Sequence, residues 1–144
     1  MPDIHRTTRR KSRENAVILL YQADLLEKDI EKIIENNLLA GKKYDSFTLK
    51  IARGVTKNKE KIDKILMDTV ENWTLDRIAI IDRNILRVAI YEMLYEDDIP
   101  LKVSVDEAIE IAKVLGQKED TPKFINGVLG KILSNISKQE KTSG

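Results

Sequence analysis

The 144-residue chain carries 25 Lys and Arg against 24 Asp and Glu, one His and no Cys, for a formal charge of +1. Lack of Cys removes disulfides, thiolate nucleophiles and Cys-based zinc sites, and His5, near the N-terminus, is the sole imidazole available for catalysis or metal binding. The composition is that of a soluble globular chain. No apolar run approaches the ~20 residues of a membrane span and the basic N-terminus has no apolar signal-peptide core, so a cytoplasmic protein is expected.

The charge is unevenly spread. Residues 1–72 sum to +3 and residues 73–144 to −2. Arg6, Arg9, Arg10, Lys11 and Arg13 fall within eight consecutive positions that hold no acid. Such a block reads as an anion-binding feature, most often for nucleic acid; the alternative is a solvated tail. The apolar spacing predicts a first helix from about Thr8 to Leu26, striped by Ala16, Val17, Leu20, Ala23 and Leu26. Cations in its first turns oppose the helix dipole by a few tenths of a kcal/mol, so a partner such as a phosphate backbone is expected to account for them.

A second helix follows Asp29 as N-cap and stops near Gly41. A third starts after Asp45 or Ser46, carries Phe47, Ile51 and Val55, and either continues through Ile62 and Leu66 or breaks around Asn58. Trp73 marks a joint, with Thr74 as a cap. From Asp76 to Glu96 two apolar sets interleave, which predicts a central helix buried on several sides. Its charges need partners, and Arg87 is expected to pair with Glu107 or Asp106 on the next helix. Glu92, Glu96, Asp97 and Asp98 form an acidic patch that either meets a basic surface or is simply solvated.

Beyond Pro100, Ser104 and Glu107 have capping-box spacing, with Gly116 as the stop. The last helix opens with Thr121 as N-cap and Pro122 in first position, and runs to about Ile136. These elements predict an all-α fold, a compact bundle of six or seven helices. They form a single domain over residues 1–144, with helical halves of about 6–72 and 73–137.

No catalytic constellation assembles from these residues. Ser104 has no histidine to activate it, there is no P-loop or GxGxxG, and the GxxG at Gly127–Gly130 lies inside a helical stripe. Neither an enzyme, a cofactor nor a metal site is expected. The last helix places Ile125, Val128, Leu129, Ile132 and Leu133 on one face. Phe124 falls roughly 110° from the centre of that face and Lys123 on the far side. An aromatic ring at the core's edge beside a lysine suits base stacking on single-stranded RNA; the alternative is packing against a neighbouring helix.

The run Arg9-Arg10-Lys11-Ser12-Arg13-Glu14-Asn15-Ala16-Val17 leading to Leu20-Tyr21 resembles the N-terminal signature of the NusB family of bacterial transcription antitermination factors. Asp82-Arg83-Asn84-Ile85-Leu86-Arg87-Val88-Ala89-Ile90-Tyr91-Glu92 is similar to that family's central helix. Val103 to Lys113 and Phe124-Ile125-Asn126-Gly127-Val128-Leu129 continue the likeness in order. The resemblance implies two packed helical halves and a non-enzymatic role. It further implies binding of boxA RNA in nascent ribosomal transcripts, pairing with the ribosomal protein NusE, and indirect association with RNA polymerase and other Nus factors. Carried over by position, Arg9, Arg10 and Arg13 would contact RNA phosphates with Lys11 assisting. Asp120, Lys123 and Phe124 would line the same RNA surface, and Asp82 would belong to the NusE-facing side. A homodimer that hides the RNA surface is also compatible with the resemblance.

Overall fold

The computed structural model describes residues 4–70 and 74–143, with side chains described over 8–70 and 74–136. Trp73 and the side chains of His5 and Arg6 lie outside the described residues. Within them the chain forms α1 (Ile4–Leu26), α2 (Ile30–Leu39), α3 (Ser46–Lys57), α4 (Lys59–Thr69), a 3-10 turn (Leu75–Arg77), α5 (Ile80–Tyr95), α6 (Leu101–Leu115) and α7 (Thr121–Ser143). All the described regular structure is helical, as the sequence predicts.

The helix ends follow local chemistry. Asp29 Oδ1 accepts the Glu31 N–H at 2.8 Å, and Asp45 Oδ1 accepts the Thr48 N–H at 2.8 Å. Gly41, at φ 92°, turns the chain after α2 in a conformation that favours glycine. The third helix does break at Asn58, whose Nδ2 donates back to the Gly54 carbonyl at 2.8 Å.

Three local expectations are corrected. First, α1 begins at Ile4, so Arg9 lies past its first turn, where the dipole effect has faded. The cations there need no compensating phosphate on that account. Leu26 is also 54% exposed, so the buried stripe stops short of the helix end. Second, α6 starts directly after Pro100, and Ser104 and Glu107 are buried helix-interior residues rather than a capping box. Third, the Asp120 carbonyl accepts the N–H groups of Lys123 and Phe124, which puts Asp120 at the cap position expected of Thr121.

α5 is the central helix, buried from Asn84 to Met93 and packed against α1, α3, α4, α6 and α7. It lies antiparallel to α1, because the end of α1 meets its start and the beginning of α1 meets its end. At the first junction Arg87 donates to Asp24 at 2.8 Å and to Asp63 at 2.8 and 3.0 Å, while Arg83 holds Asp24 at 2.8 and 2.9 Å. Arg87 thus pairs with α1 and α4, not with Glu107 or Asp106, since α6 faces a different side of α5. Burial works to raise the Asp24 pKa, but hydrogen bonds from Arg83 and Arg87 outweigh it and hold the carboxyl well below the usual range.

At the other junction Arg13 meets Glu92. Glu92 and Glu96 are only 1% and 6% exposed, so the acidic patch reduces to Asp97 and Asp98. Glu96 accepts from the Tyr91 hydroxyl at 3.1 Å and from Lys50 Nζ at 3.1 Å. Burial first, and then the Glu96 charge, push the Tyr91 phenol up to about 12.

Candidate nucleic-acid interface

The basic run of α1 is divided between surface and core. Arg9 and Lys11 are exposed, Arg10 is half-buried, and Arg13 is 2% exposed. The Arg9 guanidinium lies over the Phe47 ring, its carbon 4.4 Å from the centroid, so a cation is held on an aromatic platform at the surface. Arg10 donates to both oxygens of Glu107, at 2.5 and 3.1 Å. That bond raises the Arg10 pKa and fixes the guanidinium beside α6. Lys11 is 71% exposed and sits 3.6 Å from Glu14, a solvent-screened contact.

Arg13 departs from the expectation of a phosphate contact. Its Nε and Nη2 close on the Glu92 carboxylate at 2.8 to 3.0 Å, in the core. Burial raises the Glu92 pKa against the opposing pull of Arg13. Four residues after Arg9, Arg13 also lies 5.5 Å from the Phe47 centroid, so the same ring meets both guanidinium groups. Arg9 and Arg13 share one side of α1. The difference in burial comes from what each meets: Arg13 is covered where it pairs with Glu92, and Arg9, one turn nearer the helix start, reaches solvent.

The loop between α2 and α3 is fastened to these turns. Ser12 Oγ donates to Asp45 Oδ2 at 2.5 Å, and Thr48 Oγ1 donates to the Ser12 carbonyl at 3.1 Å. Burial opposes ionisation of Asp45, but bonds from Ser12 and Thr48 and the Arg9 charge prevail and lower its pKa. Asp45 and Phe47 therefore belong to the site. Sequence reading assigns them only a cap and an apolar stripe, because a contact between residues 12 and 45 has no local signature.

The second group lies at the start of α7. Asp120 and Lys123 are exposed, and Phe124 is half-buried at the edge of the core. Phe124 lines a cleft of about 230 Å³ with Arg77, Ile78, Asp82 and Lys118. Both readings of Phe124 have a basis here, since its ring packs on the core and borders an open cleft. Asp82, expected on a partner-facing surface, is instead 8% exposed. It accepts the Gln117 N–H at 2.9 Å and the Thr121 hydroxyl at 3.2 Å. Its carboxylate is engaged in holding the α6–α7 loop.

The two groups are anchored towards opposite ends of α5. Arg13 is tied to Glu92 near the end of α5 and Thr121 to Asp82 near its start, ten residues or about 15 Å apart along the helix. One face of α6 bridges the interval. Glu107, Glu110 and Lys113 recur at helical spacing, with Glu110 and Lys113 joined at 2.8 Å. Among the described residues no group of three or more His, Asp or Glu is placed to hold a metal ion.

Comparison with known proteins places this geometry in a family. The model of the NusB family matches residues 10–134. The "Transcription antitermination protein NusB" of Halalkalibacterium halodurans is 44% identical over 133 residues, covering 92% of this chain and 98% of that protein. The solved NusB of T. maritima is 40% identical and superposes with a TM-score of 0.75, over 86% of this chain and 89% of that one. A solved structure described as antitermination factors NusB and NusE in complex with dsRNA has the same fold, with a TM-score of 0.76 over 92% of this chain and 99% of that one, at 21% identity. Matched over most of its length by the family model and by a relative at 44% identity, the chain belongs to the NusB family.

Proposed function

We propose that this chain is a transcription antitermination protein that binds boxA RNA of nascent ribosomal transcripts together with NusE. With other Nus factors it helps RNA polymerase pass sites of premature termination. The observation that carries this function is the 44% identity over 133 residues to a protein named for transcription antitermination. Its role is binding, not catalysis.

The geometry supplies a division of labour. Arg9 and Lys11 offer exposed cations to the RNA phosphates, and Arg10 offers the half-exposed part of a guanidinium already oriented by Glu107. At the far end of α6, Lys123 and Asp120 flank the half-buried Phe124, whose ring borders a cleft suited to a base. Arg13 and Asp82 act as positioning residues, one beside the Phe47 ring and one behind the α6–α7 loop. The chain works as one domain in the cytoplasm. No helix among its described residues is long and apolar enough to cross a membrane. A homodimer formed through the same face competes with RNA.

A titration of labelled boxA RNA with this chain, with NusE and with the two together tests the proposal. Tighter binding by the pair than by NusE alone is the expected result. Equal binding with and without this chain overturns it.

A further inference from the structure

The α2–α3 loop carries two further lysines, Lys42 and Lys43, that the RNA surface described above does not use. Both are exposed, and neither has an ion-pair partner among the described residues. Their place is defined by the residues around them. Gly41 takes φ 92° to turn the chain out of α2, and the Lys42 N–H closes that turn on the Asn37 carbonyl at 3.0 Å. Two residues beyond Lys43, Asp45 is fastened to Ser12 of α1, and two further on Phe47 lies under Arg9.

At no more than about 3.6 Å per residue, the Lys43 Cα lies within roughly 7 Å of the Asp45 Cα and the Lys42 Cα within roughly 11 Å. The loop's lone carboxylate, Asp45, is already engaged by Ser12 and the Thr48 N–H. Arg9, Lys42 and Lys43 outnumber that carboxylate three to one, so the surface beside Arg9 is cationic on balance.

α1 has different neighbours on its two flanks at this level. On one, Arg10 is tied to Glu107 of α6, the helix that leads towards Lys123 and Phe124. On the other, Ser12 and Arg9 meet Asp45 and Phe47. From the juxtaposition of Lys42 and Lys43 with the Arg9–Phe47 platform we infer that the α2–α3 loop continues the RNA track past α1, each lysine neutralising a phosphate of the single strand. This inference rests on the RNA-binding function proposed above and extends it to a second flank of α1.

The chemistry is that of a point charge on a flexible stem, which binds phosphate without reading the base. Loss of both lysines therefore weakens all sequences alike and lowers the salt dependence. For a single strand each neutralised phosphate contributes about 0.7 to the slope of log affinity against log salt, so two contribute about 1.4.

The test titrates labelled boxA RNA, extended by flanking nucleotides at both ends, with the chain and NusE together at several salt concentrations. Lys42→Ala/Lys43→Ala is compared with the unaltered chain and with Arg9→Ala. Both positions are exposed, so the double variant is expected to keep the fold, which circular dichroism checks. The inference predicts weaker binding and a slope reduced by about 1.4, with the preference for boxA over scrambled RNA unchanged. An unchanged slope in the double variant, while Arg9→Ala lowers it, overturns the inference and leaves the RNA function standing. No contribution of the unaltered chain to RNA binding overturns both.

Discussion

Arg13 and Glu92 form a two-pronged ion pair in the core, with donor–acceptor distances of 2.8 to 3.0 Å and neither residue more than 2% exposed. The pair joins the α1 turns that carry Arg9 to the end of the central helix. A residue inside an apparently uniform basic run thus fixes the position of the residue that reaches solvent.

Removing one member of this pair leaves a buried charge alone. Arg13→Ala is expected to cost about 3–5 kcal/mol of stability in urea unfolding. The paired replacement Arg13→Met/Glu92→Leu recovers most of that loss, because two apolar side chains leave no stranded charge. If Arg13 acts by positioning, the folded double variant retains most of its RNA affinity. A folded double variant with the affinity loss of Arg9→Ala would make Arg13 a direct contact instead.

The Asp24 cluster predicts a pH dependence with a definite sign. The folded-state pKa of Asp24 is lowered, so its contribution is fully present above the unfolded pKa near 3.8 and is lost as pH falls through the folded value. Stability should begin to decline below about pH 5. Asp24→Asn should be less stable than the unaltered chain at pH 7 and should show a flatter decline in acid. Parallel pH profiles for the two proteins would contradict this.

Gly54 of α3 has a different constraint. A Cβ added there would stand 2.4 Å from the Tyr91 ring. Alanine is favoured over glycine in a helix by about 1 kcal/mol, yet overpacking of this kind costs about 1–3 kcal/mol. The clash should win, and Gly54→Ala should lower the melting temperature, whereas Gly127→Ala, with nothing within 4 Å, should raise it slightly.

Asp82 and Phe124 should be coupled through the α6–α7 loop. Asp82→Ala strands the Gln117 N–H and the Thr121 hydroxyl, at about 1–3 kcal/mol of stability. In a double-mutant cycle for RNA binding, the effects of Asp82→Ala and Phe124→Ala should fall short of additivity. Strict additivity would separate the loop from the reading of RNA.

Local signals made most of the fold legible in the sequence. The caps at Asp29 and Asp45, the turn at Gly41 and the all-round apolar pattern of α5 are each set within a few residues. Long-range pairing was not legible. Arg87 finds Asp24 and Asp63 instead of Glu107, and Glu107 finds Arg10, because helix spacing gives a residue's face but not the neighbour opposite it. The capping-box pattern of Ser104 and Glu107 misled for the same reason, since two polar residues at cap spacing also serve as partners in a core. In the candidate site the exposed cations and Phe124 could be found from charge and helical angle, but the Arg9–Phe47 stack and the internal roles of Arg13 and Asp82 arise only from tertiary contacts.

The claim that Phe124 stacks on RNA bases while Arg9 meets phosphate is tested most directly by the salt dependence of boxA RNA affinity, measured in the presence of NusE for Phe124→Ala and Arg9→Ala. Phe124→Ala should weaken binding by about 1–3 kcal/mol with an unchanged salt slope. Arg9→Ala should weaken binding and reduce the slope by about 0.7. Folded variants that both bind RNA as tightly as the unaltered chain, with the same slope, would contradict the assignment of this surface to RNA.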